Sequence, residues 1–238
     1  MIRAPLPESF QGTTARGQLL PGLPLAQFEI GTMRNFIYLI VDWQDRKAAI
    51  VDPQKDLAAP LAELKKHGLT LDWVLLTHTH FDHIAGVPGL LDLYPDLKLG
   101  LGRPDSHRLP DRVLAAPGIH FFSDTERLKI GQMSVEIMAT PGHSPGEICI
   151  FIPGAATHPP FVCTGDTLFI RDCGRTDFEG GSNAQMFESL QRIKALPDET
   201  VVLVGHHYAP EVASTLAAEK RDSPPLRFQT VEELEKFD

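Results

Sequence analysis

His78-Thr79-His80-Phe81-Asp82-His83 puts three histidines and one aspartate into six residues. Trp73-Val74-Leu75-Leu76, just upstream, is a short apolar run rich in strand formers, so the cluster follows a buried strand directly. Neutral imidazole nitrogens and the aspartate carboxylate are ligands for first-row metals. A surface loop also tolerates histidine, but three of the chain's ten histidines lie here, and such concentration points to metal.

Outward from that segment, Phe36–Trp43 and Ala48–Val51 read as strands separated by the polar turn Gln44-Asp45-Arg46-Lys47. Asp56–His67 reads as a helix: Asp56 caps it, Leu57, Leu61 and Leu64 line one face, and Gly68 ends it. A short helix is expected over Val87–Leu93, then a proline-punctuated loop over Arg103–Gly118. Arg127–Ile130 and Met133–Ala139 form a hairpin around Gly131-Gln132. Glu147–Ile152, Phe161–Cys163 and Thr200–Val204 are further strands. Asn183–Leu196 is an amphipathic helix with Met186, Phe187, Leu190 and Ile193 inward, and Val231–Phe237 suits a short terminal helix. Residues 1–24 lack a period and read as an irregular arm before a single domain over 25–238. Strands and helices alternate and hairpins recur, so the fold class is α/β or α+β, with mixed sheets and helices on the outside.

Three more candidates share one feature with the cluster: each follows a strand and is preceded by glycine. They are His143 after Gly142, Asp166 after Gly165 and His206 after Gly205. Glycine permits a tight turn and close backbone approach, which aims the next side chain into a pocket. Any one of them alone is more often a hydrogen-bonded histidine or carboxylate than a ligand. Together, His78, His80, Asp82, His83, His143, Asp166 and His206 make seven N/O donors, a set that suits two metals sharing a carboxylate. The absence of cysteine among them argues for a catalytic site with open positions.

The net charge of −9 gives no reason to expect a nucleic-acid backbone as partner. Apolar runs such as Phe36–Val41 fall far short of the roughly 20 residues a membrane span needs. Met1–Gln18 shows no apolar signal core, so a soluble, cytoplasmic protein is expected. Cys149 and Cys163 lie in apolar runs and read as small buried side chains. Cys173 has no neighbouring motif that would make it a nucleophile.

The order His-x-His-x-Asp-His at 78–83, then His143, Asp166 and His206, resembles the metallo-β-lactamase superfamily over about residues 28–210. The resemblance implies an αββα sandwich with the site at one edge. It implies a first metal on His78, His80 and His143, a second on Asp82, His83 and His206, and Asp166 bridging. Within the superfamily, Gly165–Phe178 resembles two branches, the glyoxalase II-like thioester hydrolases and the persulfide dioxygenases. In the dioxygenases a single Fe(II) is held by positions corresponding to His78, His143 and Asp166. Arg171 and the run Cys173-Gly174-Arg175-Thr176-Asp177-Phe178 resemble the dioxygenases. Phe81 departs from the dioxygenases, which as a rule have Ala there, and Gly205-His206-His207-Tyr208 resembles the hydrolases, although His207 stands where both branches carry an acid. Only 32 residues follow His206, fewer than the helical C-terminal domain of full-length glyoxalase II, so that domain's glutathione contacts are not expected here.

The expected activity is metal-dependent hydrolysis, with metal-bound hydroxide attacking an acyl carbonyl, above all a thioester such as a hydroxyacyl-glutathione. The alternatives are Fe(II) persulfide dioxygenation of glutathione persulfide, and lactonase or β-lactamase-like hydrolysis; a non-catalytic metal-binding module is disfavoured. Zn, Fe and Mn all suit these ligands. Asp82, Asp166 and Tyr208 are the candidate catalytic residues. Tyr208 either donates to a substrate oxygen or is a packed rim aromatic. Arg175 either binds a substrate carboxylate or pairs with Asp172 or Asp177. The expected partner is a small molecule, with a glutathione conjugate foremost and homodimerisation left open. His67, His107, His120 and His158 are read as ordinary loop or surface histidines, and Glu147, Glu179 and Glu188 have no assigned role.

Overall fold

Asn35–Asp42 is buried along its whole length, and its two faces enter different cores. Phe36, Tyr38 and Ile40 point one way; Ile37, Leu39 and Val41 point the other, as the two-residue period of a strand requires. A strand buried on both faces lies between two layers. A computed structural model describes residues 24–237, so the expected arm falls outside the described residues except for Pro24.

The first sheet runs in sequence order: β1 (Leu25–Ile30), β2 (Asn35–Asp42), β3 (Lys47–Val51), β4 (Thr70–Leu75), β5 (Lys98–Gly102) and β6 (Ile119–Phe122). β1 to β3 pair antiparallel and β3 to β6 parallel. Helices α1 (Ala58–His67), α2 (Phe81–Ile84), α3 (Val87–Leu93) and α4 (Asp111–Leu114) fall in this half. Leu64, Val87, Leu90 and Val113 pack from α1, α3 and α4 onto Ile37, Leu39, Ile50, Val74 and Leu99. Each such side chain, fully buried, contributes roughly 1.5–3 kcal/mol.

The second sheet contains β7 (Arg127–Ile130), β8 (Met133–Ala139), β9 (Ile148–Ile152) and β10 (Phe161–Cys163). A two-stranded hairpin, β11 (Leu168–Phe169) and β12 (Asp172–Cys173), and helix α5 (Asn183–Lys194) follow. β13 (Val201–Leu203) and β14 (Ser214–Thr215) complete the sheet, in the order β14-β13-β10-β9-β8-β7. Three short helices end the chain: α6 (Leu216–Asp222), α7 (Pro224–Arg227) and α8 (Val231–Glu235). Met186, Leu190 and Ile193 of α5, with Leu226 and Leu234, cover the second sheet. The result is the αββα sandwich, two mixed sheets between helical layers. No helix among the described residues is long and apolar enough to cross a membrane.

Several boundaries differ from expectation. α1 starts at Ala58, yet Asp56 Oδ1 still accepts the Ala58 N–H at 3.0 Å, and Gly68 closes the helix at φ +62°. α5 ends at Lys194, not Leu196, and the final helix at Glu235, not Phe237. Arg103–Gly118 is not one loop: it holds a 3-10 turn at Arg103–Arg108 and α4.

Strand direction places the site. β8 and β10 are both antiparallel to β9, and β13 is parallel to β10, so β8, β10 and β13 end at one rim. The first sheet is tied to that rim by Ile148 N–H to Thr77 O (2.8 Å) and Phe36 N–H to Gly205 O (2.8 Å). The chain just past β4 therefore meets the ends of three strands of the other sheet.

Candidate metal centre

All seven candidate ligands converge at this rim. His78 follows β4, His80 caps α2, and Asp82 and His83 lie within it. His143, Asp166 and His206 follow β8, β10 and β13. Six are buried and His80 is half-buried. Three groups bring ligand atoms within 4.8 Å of one another: His78–His80–His143, Asp82–His83–His206 and Asp52–His78–His83. The glycines before the last three candidates are needed for close approach. A Cβ on Gly205 would stand 2.3 Å from Asp166 Oδ1, and one on Gly165, which has φ +50°, would stand 2.5 Å from Thr77 Oγ1.

Hydrogen bonds on the far side of each ring decide which nitrogen faces the centre. His143 Nδ1 donates to the Arg175 carbonyl (2.7 Å) and His206 Nδ1 to the Met33 carbonyl (2.9 Å). His83 Nδ1 donates to Asp52 Oδ2 (3.0 Å). Thr77 Oγ1 donates to the same Asp52 oxygen (2.6 Å), so it accepts from His78 Nδ1 (3.1 Å). The Nε2 atoms of all four rings are thereby turned inward. His78 Nε2 is buried and has no hydrogen-bond partner. His80 presents Nδ1, 2.9 Å from His143 Nε2. His83 Nε2 and His206 Nε2 face each other at 3.1 Å, an arrangement that needs a proton or a cation against them.

Asp166 reaches both groups. Its Oδ2 is 3.3 Å from His206 Nε2 and 3.6 Å from His143 Nε2; Oδ1 is 3.6 Å from His83 Nε2 and accepts no hydrogen bond. The donor chemistry and these unpartnered buried atoms fit metal binding.

Charge in the site is polarised. Burial pushes His78 well below its ordinary value and, with His143 beside it, lowers His80 to about 4. Burial also lowers His143 against the pull of Asp166. Burial opposes a charged His83, yet Asp166, Asp52 and Asp82 outweigh it and raise it to about 9. Burial likewise opposes a charged Asp166, but His83, His206 and His78 hold its carboxyl well below the usual range. Ligation requires neutral imidazole, so a metal bound at His83 would have to displace its proton. If Asp82–His83–His206 holds an ion, its affinity should rise about tenfold per pH unit from pH 7 towards 9 and fall on acidification. Zinc titrations at pH 7.0 and 8.5 check this; equal affinities would contradict it.

Residues outside the expected set hold the ligands in place. Asp52, at φ +50° just past β3, accepts from His83, Thr77 N (2.8 Å) and Thr77 Oγ1. Asn35 Nδ2 donates to Asp82 Oδ2 (2.8 Å). Glu147, unassigned from sequence, accepts the Asp166 N–H at 2.7 Å; burial, then Asp166, pushes its carboxyl well above the usual range. Buried Asp105 accepts from Ser144 Oγ and Gly146 N–H, both at 2.7 Å, next to His143. Asp52 carried a usable signal, because it lies directly after a strand like the ligands. Asn35, Asp105 and Glu147 carried none.

At the mouth, Phe178 packs edge-on against His80 and His143, and Tyr208 stacks on His206 with centroids 4.8 Å apart. Phe81, Phe178 and Tyr208 are exposed. Arg175 takes the pairing foreseen with Asp177 (Nε to Oδ1, 3.0 Å) and lies over Phe178. Arg171 ties to Glu211 (Nη1 to Oε1, 3.0 Å), and its N–H to Glu219. The cysteines are buried, and burial raises the Cys149 thiol to about 12. His67, His107, His120 and His158 join none of the three ligand groups. A groove of about 600 Å³ beside Trp43, Met133, Pro153 and His158 contains none of the seven candidates.

The pattern of the metallo-beta-lactamase superfamily matches residues 30–206. Over 178 residues the chain is 40% identical to the hydroxyacylglutathione hydrolase of Synechococcus sp., an alignment covering 73% of this chain and 65% of that protein. The solved structure of ETHE1 from Myxococcus xanthus superposes with a TM-score of 0.76 at 29% identity, over 88% of this chain and 87% of that one. TTHA1623, solved in a di-iron-bound form, superposes with a TM-score of 0.68 at 30% identity, over 83% and 98%. The chain belongs to the metallo-beta-lactamase superfamily, in the branch shared by glyoxalase II-like hydrolases and persulfide dioxygenases.

Proposed function

We propose that this chain is a two-metal hydrolase of thioesters, with a hydroxyacyl-glutathione as the leading substrate. His78, His80 and His143 would hold one ion, Asp82, His83 and His206 the other, and Asp166 both. The observation that carries this reading is the position of Asp166 between two groups whose bare imidazole nitrogens face inward. The similarity to hydroxyacylglutathione hydrolases supports the substrate class, and the di-iron relative supports two ions. When bound, such a metal pair lowers the pKa of water and polarises a carbonyl. Zn and Fe are the leading metals, and Mn suits the same donors.

The remaining residues position the substrate. Tyr208, braced on His206, offers a phenolic donor to a substrate oxygen at the exposed rim. Arg175 can exchange its exposed Asp177 partner for a substrate carboxylate at little cost, since exposed ion pairs contribute only about 0–1 kcal/mol. Phe178, edge-on against His80 and His143, forms one wall of the mouth.

A single-Fe(II) persulfide dioxygenase on His78, His143 and Asp166 is the second reading, favoured by the superposition on ETHE1. Zinc- and iron-loaded protein assayed on thioester, lactone and β-lactam substrates, with oxygen uptake followed on glutathione persulfide, tests both. Thioester turnover exceeding the other activities is expected. Oxygen uptake without thioester turnover would overturn the first reading.

A further inference from the structure

The turn between β1 and β2, together with Asn35 at the start of β2, reaches the second ligand group. Met33 O accepts from His206 Nδ1, and Asn35 Nδ2 donates to Asp82 Oδ2 and lies 3.4 Å from His83 Nε2. Neither contact touches His78, His80 or His143. The position of this turn therefore bears on one ligand group and not the other.

Three side chains fix the turn against the loop that carries His206. Glu29, in β1, accepts from Arg34 Nε at Oε1 (2.9 Å) and from His207 Nδ1 at Oε2 (2.7 Å). Arg34 Nη2 lies 2.8 Å from that same His207 nitrogen. The His207 ring is buried and stacks on Phe36 with centroids 5.0 Å apart. The backbone completes the closure: His207 N–H donates to Arg34 O (2.9 Å), and Asn35 bridges to His206. Arg34 sits at φ +59°, a conformation an arginine adopts at a cost.

We infer that Glu29, Arg34 and His207 form a latch that positions Asp82 and His206 for the second ion, and that the first ion does not depend on it. This inference rests on the two-ion reading above. Glu29, Arg34 and His207 are positioning residues: none of their side chains reaches the centre, and they act through Met33 O and Asn35.

Cobalt titration of the metal-free protein, followed by visible absorption, separates the two ions. Wild type should show two phases. Glu29→Ala should weaken the second phase about 10- to 100-fold and leave the first unchanged, the range seen when partners of ligands are removed. Glu29→Gln, which keeps the shape and loses the charge, should lose less. Arg34→Gly is the control for folding. It removes the guanidinium while easing the left-handed backbone, so the metal-free Tm should not fall although the second phase weakens. Two unchanged phases in both Glu29→Ala and Arg34→Gly would overturn the latch, as would equal weakening of both phases. A wild type that binds one cobalt would overturn the two-ion reading, and the latch with it.

Discussion

His78→Ala should lower thioester hydrolysis on the order of a thousandfold or more, about 4 kcal/mol of barrier. The His78 ring lies in van der Waals range of His80, His83 and His143, with centroids 4.8, 4.1 and 5.1 Å away, and its inward nitrogen has no other partner. Alanine leaves His80, His143 and the shared Asp166 where four donors converged, and no neighbouring side chain replaces the missing imidazole. Residues acting on one centre are strongly non-additive, so adding His143→Ala should cost little more. Steady-state assays with excess metal, alongside circular dichroism to confirm folding, measure the effect. Retention of more than a tenth of wild-type activity would contradict it.

His83→Ala carries the second large effect and separates the two chemistries. His83 sits with Asp82 and His206, outside the set His78, His143 and Asp166. A two-ion hydrolase should lose on the order of a hundredfold in kcat and keep one ion per chain, because His78, His80 and His143 are untouched. The loss should be largest in kcat if the second ion stabilises charge formed only during reaction. An enzyme that uses one iron should keep most of its oxygen uptake. Near-wild-type thioester hydrolysis by His83→Ala would remove the second ion from the account.

The sequence carried the layers and the ligands further than it carried the edges. The hairpin at Arg127–Ile130 and Met133–Ala139, helix Val87–Leu93 and strand Phe161–Cys163 appear with the boundaries that their periodicity predicts. Lys98–Gly102 went unread because Lys-Leu-Gly-Leu-Gly resembles a turn. Its glycines are there for packing: a Cβ on Gly100 would stand 2.2 Å from the Phe122 ring on the neighbouring strand. β11, β12 and β14 are two-residue strands whose pairing depends on distant chain, so no local period marks them. At the site, the convergence of seven candidate residues was legible because imidazole and carboxylate have few reasons to concentrate at strand ends. Asn35, Asp105 and Glu147 were not, because a side chain that supports a ligand is chosen by distance in space and leaves no spacing in sequence. His207 shows the same limit. Its sequence position suggested a departure from both branches, and only the structure supplies Glu29, 178 positions away, as its acidic partner.

Two ions sharing Asp166 fix the metal content of the protein. Elemental analysis of protein purified without added metal should find close to two equivalents of zinc or iron per chain, falling to one in His83→Ala. A single iron per chain in the wild type, unchanged by His83→Ala, would contradict the two-ion site.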